Sequence, residues 1–317
     1  MLIPTLVLIL GFIILIKCSD LFIDGSSSIA QNFKVSKVLI GLTIVAFGTS
    51  APELAITLKA ASINNADMIL GSVIGSNITN GLLILGVSAI IRTIYVKQNT
   101  IKKELPLHTL ITAIFLVLFL DKEINHLNPN MISRSDAFTI LLVFSVFLYY
   151  IISISRNKID EETEIGKYST KKSLLLIIIG LIGIILGSNL VVESATNIAK
   201  ILGITERIIS LTIISLGTAL PELVTAIMAS IKKEQEILVG NIIGSNIFNI
   251  CIVLGLPVAI YGSIIPSSFQ IIDFVTLIIM AILIYILSKT NHYKLTRKNG
   301  ILLVAIYIAY YISIFIS

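Results

Sequence analysis

Charge is scarce in this chain. Only 13% of its residues are Asp, Glu, Lys or Arg, 56% are hydrophobic, and the mean hydropathy is +1.00. Its apolar runs repeatedly reach the roughly 20 residues that cross a hydrocarbon core about 30 Å thick, which excludes a soluble globular domain and places the chain in a bilayer. Cysteine is nearly absent. Cys18 and Cys251 sit in or beside apolar runs with no third ligand near, so both are read as small packing residues. The three histidines, His108, His126 and His292, fall at span ends or in loops, which suits interface positions better than metal ligation. No His-Glu-X-X-His motif occurs and no Ser/His pair shares a depth, so nothing supports an intramembrane protease and no enzymatic activity is expected. The net charge of +5 calls for no nucleic acid, because the cations flank membrane spans and no basic run forms a separate domain.

The hydrophobic runs predict ten spans. Five fall at Leu2 to Phe22, Val38 to Leu58, Met68 to Ile91, Leu105 to Leu120 and Ala137 to Ile154. Five more fall at Ser173 to Val192, Ile208 to Ser230, Ile237 to Ile260, Ile271 to Leu287 and Gly300 to Ile316. Met1 is followed by no positive segment and no small-residue cleavage site before Lys17, so the first span is read as retained. With Met1 on one side of the bilayer, the connections on the other side hold 17 Lys and Arg, among them Lys37, Lys97, Lys167 and Lys232. The Met1 side holds five: Lys59, Lys122, Arg134, Lys200 and Arg207. Positive-inside bias makes the richer side cytoplasmic, so both termini are expected outside a cell membrane. Asp20, Asp24 and Glu193 are expected near the ends of the first and sixth spans, as vestibule charges or merely solvated, and Asp273 at an interface.

What the chain does contain is a duplication. The segment Thr43 to Gly86 returns as Thr212 to Gly255, 169 residues later without a gap. Gly48-Thr49-Ser50-Ala51-Pro52-Glu53-Leu54 becomes Gly217-Thr218-Ala219-Leu220-Pro221-Glu222-Leu223, and the Gly-Ser-Asn-Ile-X-Asn segment ending at Asn80 recurs ending at Asn249. Ser19, Leu21, Ile29 and Ala30 match Ser188, Leu190, Ile198 and Ala199 at the same offset, so the repeat is a whole five-span half. Five crossings invert the second copy. The expected architecture is an all-α membrane protein of ten transmembrane helices in two inverted five-helix repeats, residues 1–155 and 173–317. The 156–172 connection is a cytoplasmic tether too short to be a folded domain.

Each repeat sets a proline and then a glutamate inside an apolar stretch. Pro52 and Pro221 remove a backbone donor and clash with the carbonyls of Gly48 and Gly217, so the helix opens there. In hydrocarbon a freed carbonyl must be satisfied, and a cation can do it. Glu53 and Glu222 follow at once; an intramembrane carboxylate costs several kcal/mol unless paired, and no Lys or Arg lies at matching depth. Two carboxylates with several neutral oxygens suit one hard divalent cation. Gly71-X3-Gly75 and Gly240-X3-Gly244 are read chiefly as close-packing surfaces. Ser76 and Asn80 share a helix face and can present a hydroxyl and an amide to one ion. Asn77 falls on another face, where it can equally bond a neighbouring helix.

These paired motifs resemble the two α-repeats of the cation/calcium antiporter superfamily, specifically its prokaryotic sodium/calcium exchangers. The likeness covers nearly the whole chain. It implies ion sites at mid-membrane built by the second, third, seventh and eighth spans, with calcium and sodium as the partners, the bilayer as solvent, no cofactor and no obligate protein partner. By this resemblance Glu53 and Glu222 match the calcium-coordinating carboxylates, and Thr49 and Thr218 the threonines whose carbonyls join them. Ala46 and Ser215 match positions lending backbone oxygens to sodium, and Ser50 a sodium-site serine. Ser76 and Ser245 match the third- and eighth-span serines, and Asn80 and Asn249 the nearby amide or acid position. Ala219 stands where the family often has serine, which puts an outer sodium site in doubt. Potassium-dependent relatives tend to have aspartate at the Asn80 and Asn249 positions, and proton-coupled relatives usually have Gly-Asn-X-X-Glu in place of Gly-Thr-X-X-Pro-Glu. The expected function is therefore Na⁺/Ca²⁺ antiport by alternating access, with H⁺/Ca²⁺ antiport as the alternative.

Overall fold

A computed structural model describes residues 1–120, 129–156, 166–203, 215–290 and 292–316. The helices are α1 (Leu2–Asn32), α2 (Lys37–Thr49), α3 (Ala51–Ser62), α4 (Ala66–Ile91), α5 (Leu105–Phe119) and α6 (Arg134–Arg156), then α7 (Thr170–Ile201), α8 (Ser215–Thr218), α9 (Leu220–Ile231), α10 (Gln235–Tyr261), α11 (Ile271–Thr290) and α12 (Arg297–Ile316). A two-residue antiparallel pairing of Ile94–Tyr95 with Lys294–Leu295 ties the two halves. The protein is a mostly helical membrane protein. Among the described residues six helices are long and apolar enough to cross a membrane, seven if the bent pair α2 and α3 is one span, so length and composition alone do not reach the ten expected. Lys122, His126, Lys158, Arg207, Ser317, residues 208–214 of the expected seventh span and most of the 156–172 connection lie outside the described residues.

α1 and α7 pack antiparallel along most of their length, as equivalent helices of two inverted halves must. Glycines permit the approach: a methyl on Gly11 would meet Val191 at 3.0 Å, and one on Gly187 the Leu15 backbone at 2.8 Å, in opposite chain order. Both helices present large apolar residues outward, among them Leu10, Ile13, Ile178 and Ile182, a surface that only lipid tails suit. Both also run beyond their expected ends, to Asn32 and Ile201. Asp20, Asp24 and Glu193 therefore sit within helices and not at their ends. The helix tolerates the first two because Lys232 pairs with Asp20 at 2.7 Å and also with Asp24, which Lys167 meets at 3.0 Å. The bond to Asp24 holds the exposed Lys167 ammonium above the ordinary lysine range. Asp273, expected at an interface, is mostly buried and accepts from Tyr310 Oη at 2.8 Å.

The two motif helices of the Gly-Ser-Asn type sit deepest. In α10, 94% of the most apolar window is buried and in α4 72%, against 28% in α1. The duplicated segments thus form the centre, and the lipid-facing helices wrap them. The second-copy glycines pack as expected: a methyl on Gly240 would lie 3.0 Å from the Gly41 Cα, and one on Gly244 2.8 Å from the Leu42 Cα. The first-copy pair behaves otherwise among the described residues, where Gly71 faces only the tip of Phe269 at 3.5 Å and Gly75 meets nothing within 4 Å. Gly240→Ala should accordingly force two backbones apart and cost about 1–3 kcal/mol. Gly71→Ala should be near neutral. Thermal unfolding of the two detergent-purified variants measures the difference, and equal melting temperatures would contradict this packing.

Candidate ion-binding site

Both proline motifs break their helices at the same backbone step. α2 ends at Thr49, Ser50 takes φ −88° and ψ 3°, and α3 restarts at Ala51, bent by 46°. In the second copy α8 ends at Thr218 and Ala219 takes φ −88° and ψ 2° before α9 begins. Pro52 and Pro221 become the second residues of the restarted helices, where a missing N–H costs little. Glu53 and Glu222 then fall in a first helical turn, whose free N–H groups favour a negative charge. The other motif pair is distorted too. α4 and α10 switch to π-helical, i→i+5 geometry over Thr79–Ile84 and Asn249–Leu254, and such widened turns re-aim Asn80 and Asn249.

The two carboxylates are buried, Glu53 1% and Glu222 3% exposed. Neither has a cation: no ion pair among the described residues involves them. Ser50 Oγ donates to Glu222 Oε1 at 3.3 Å, but both oxygens of Glu53 and Oε2 of Glu222 have no partner. Ala219 explains the imbalance. It occupies the place equivalent to Ser50 and has no hydroxyl to offer Glu53. Thr49 Oγ1 donates to Asn241 Oδ1 at 3.3 Å and lies 3.4 Å from Ala46 O, which also accepts from the Ser50 N–H at 3.1 Å. Ser245 Oγ reaches the same Asn241 oxygen at 3.3 Å. Asn241 therefore joins the two motif types across the halves. Its counterpart in the first repeat is Ser72, a different residue type, so the duplication does not mark it.

Around them the amides cross between repeats. Asn80 Nδ2 donates to Asn246 Oδ1 and Asn249 Nδ2 to Asn77 Oδ1, both at 3.1 Å, and these two bonds are exchanged by the 169-residue offset. Asn80 Oδ1 and Asn249 Oδ1 are buried and unpartnered. Ser76 is buried beside them, and Ser215 opens α8. His108 corrects the sequence expectation. It is no interface residue but 1% exposed within α5, with Nε2 3.3 Å from Asn246 Nδ2. His292 is exposed in a turn at φ +51°, and Cys251 packs in the core. Among the described residues no three His, Cys, Asp or Glu converge, so the centre's acceptors are two carboxylates plus neutral oxygens. Buried acceptors without donors are what a desolvated hard cation satisfies.

A cavity of about 380 Å³ lies beside this centre, lined by Pro52, Ser188, Asn189, Glu193, Thr218 and Pro221, with Ser188 Oγ donating to Gly217 O at 3.3 Å. The residues equivalent to Asn189 and Glu193 in the first repeat are Asp20 and Asp24, the pair held by Lys232. Because α1 and α7 are antiparallel, Asp24 lies level with about residue 178 of α7, about 22 Å from Glu193 at 1.5 Å per residue. Lys37 with Glu234 at 2.8 Å and Lys97 with Glu236 at 3.0 Å are further ion pairs of the 232–236 turn.

Comparison with known proteins agrees with this layout. The family model described as sodium/calcium exchanger protein matches residues 3–153 and 172–316. The inner membrane protein YrbG of Escherichia coli is 33% identical over 96% of this chain and 94% of its own length. The sodium/calcium exchanger MaX1 of Methanosarcina acetivorans is 28% identical over 98% of each. Solved structures of the sodium-calcium exchanger NCX_Mj, among them one soaked with 10 mM Na⁺ and zero Ca²⁺, superpose with a TM-score of 0.84 at 33% identity over 97% of each chain. With a transporter's fold, two inverted carboxylate motifs and a match over nearly its whole length, this chain belongs to the sodium/calcium exchanger family.

Proposed function

We propose that this protein exchanges Na⁺ for Ca²⁺ across the cell membrane by alternating access. One observation carries the reading: Glu53 and Glu222 are buried near mid-span with three of their four oxygens unpartnered, beside two buried amide oxygens that are unpartnered as well. Two negative charges compensate one Ca²⁺, and the same oxygens redistribute over smaller charges, so calcium and sodium exclude one another. Glu53, Glu222, Thr49, Thr218, Ser50, Ser76, Ser245, Asn80, Asn249, Ala46 and Ser215 form the ion-binding set. Residues 1–155 and 173–317 are the two halves and 156–172 their tether, a division that the two matched segments of the family model support. Glu53→Gln and Glu222→Gln should each lower calcium exchange by roughly a hundredfold or more, since breaking a buried charge pair costs about 3–5 kcal/mol. ⁴⁵Ca exchange by proteoliposomes checks this. Normal exchange in either folded variant would remove the site assignment.

Sodium is the coupling ion in this reading. An outward-directed Na⁺ gradient should drive ⁴⁵Ca uptake, potassium should make no difference, and a pH gradient should be much less effective. Acidification should inhibit, because protons on Glu53 and Glu222 cancel the charges that hold Ca²⁺. Uptake that follows a pH gradient equally well without sodium would establish proton coupling instead.

The asymmetric ends support a gate. The cavity at Glu193 opens one side, and the Lys232 pairs with Asp20 and Asp24 tie the other shut, the side made cytoplasmic by the positive-inside bias. Lys232→Met should move the balance of states by about fivefold, an ion pair of this partly exposed kind being worth ~1 kcal/mol. The readout is labelling of Asn189→Cys by an impermeant thiol reagent from outside, in a background lacking Cys18 and Cys251. Slower labelling in the Lys232→Met protein is expected, and an unchanged rate would sink the latch. Cysteines placed in the 156–172 connection and at Ser317 should label from opposite sides. Labelling from one side would require an even number of crossings and would overturn the inverted topology.

A further inference from the structure

Of the polar groups buried beside the candidate site, His108 has no counterpart in the duplication. The equivalent position in the second repeat is Leu277, an apolar core residue. Its surroundings are mostly apolar: Leu85, Leu105, Ile242, Ile243 and Ile284 line the pocket that His108 shares with Asn246 and Ser288. A histidine in such a place costs free energy unless its polar atoms are used. Nε2 is used, at 3.3 Å from Asn246 Nδ2, and Nδ1 has no partner. An amide N–H₂ only donates, so Nε2 is the acceptor and the ring is neutral with its proton on Nδ1.

The bond matters for what lies beyond Asn246. An asparagine side chain presents oxygen on one edge and nitrogen on the other, and either edge can be turned toward Asn80. With Nδ2 committed to His108, Asn246 turns Oδ1 to Asn80 and accepts from Asn80 Nδ2 at 3.1 Å. Asn80, its nitrogen committed in turn, has its Oδ1 buried and unbonded. The backbone carbonyl of Asn246 accepts Asn77 Nδ2 at 3.2 Å, which leaves Asn77 Oδ1 to take Asn249 Nδ2 at 3.1 Å and frees Asn249 Oδ1 in the same manner. In the first repeat a backbone carbonyl holds the orienting amide, and in the second a histidine does.

We propose that His108 is a positioning residue for ion binding: by accepting from Asn246 it fixes a relay, His108 to Asn246 to Asn80, that presents the Asn80 carbonyl oxygen, and not its N–H₂, to the transported calcium. A flipped Asn80 would direct two N–H donors at a cation. The relay rests on the ion-site reading above, and it explains why a neutral amide at position 80 serves as an oxygen ligand. Groups behind metal ligands commonly set affinity by 10- to 100-fold.

Equilibrium binding of ⁴⁵Ca to the detergent-purified full chain, in sodium-free buffer, tests it independently of the coupling ion. His108→Leu removes the acceptor and should raise the calcium Kd about tenfold or more, while His108→Gln, whose amide oxygen can accept from Asn246, should stay within about threefold of wild type. A purely structural role would lower thermal stability without this split. The decisive variant is His108→Leu in an Asn80→Ala background. With the last member of the relay gone, the leucine should change Kd by less than about twofold, since residues acting through one another are not additive. An unchanged Kd in His108→Leu, or a full tenfold loss repeated on Asn80→Ala, overturns the relay. A wild-type protein that binds no calcium overturns the calcium site itself, and the relay with it.

Discussion

A carboxylate far from water sets the terms for everything else in this protein. In the membrane interior an unpaired charge costs several kcal/mol even after relaxation, and the chain places two there, Glu53 and Glu222, with no lysine or arginine among the described residues paired to either. The surrounding structure makes that tolerable. The helix breaks at Ser50 and Ala219 start new helices whose first turns carry the glutamates, and unpaired N–H groups there partly balance the charge. α10 is buried almost throughout, which keeps the surroundings of the acids largely apart from solvent. Glycines at 41 and 240 let α2 and α10 approach until their backbones touch, which brings Thr49 to Asn241.

The residual charge is what makes such a site a carrier's. Full satisfaction of the glutamates by protein donors would leave nothing for an ion to do, and a complete lack of donors would make the ion-free state too costly to visit. Glu222 has one hydroxyl partner and Glu53 none. The amides are arranged by the same logic. Their nitrogens are consumed by one another, across the repeats, and their oxygens are left over. Donor groups are thereby withdrawn from the centre and acceptors concentrated in it. A cation is the species that such a balance favours.

Much of this was legible in the sequence because duplication prints each important residue twice. Pro52 with Glu53 would be one kinked helix in one copy, but Pro221 with Glu222 repeats it in opposite orientation, and the break appears at equivalent residues with matching dihedral angles. What the repeat could not show is what exists once. His108 has Leu277 as its counterpart, Asn241 has Ser72 and Lys232 has Ile63, so none stood out by recurrence. Each acts through a partner more than 130 residues away or in another repeat: His108 on Asn246, Asn241 on Thr49, Lys232 on Asp20 and Asp24. Span ends were misjudged for the same reason. Asp20 and Asp24 look like the end of an apolar run until a lysine from a distant turn neutralises them and lets α1 continue to Asn32.

Residues present only once are where an inverted repeat acquires direction. Two identical halves related by a two-fold axis in the membrane plane would have outward- and inward-open states of equal energy, and neither side of the membrane would be preferred. Every departure from the repeat biases that balance. Lysine at 232 against isoleucine at 63 pairs with Asp20 and Asp24 at one end, whereas their equivalents at the other end, Asn189 and Glu193, line a cavity. Serine at 50 against alanine at 219 gives one glutamate a hydroxyl and not the other, so the two carboxylates are unequal ligands. In the proposed exchange the shared features of the halves set which ion is carried, and their differences set which side of the membrane is favoured.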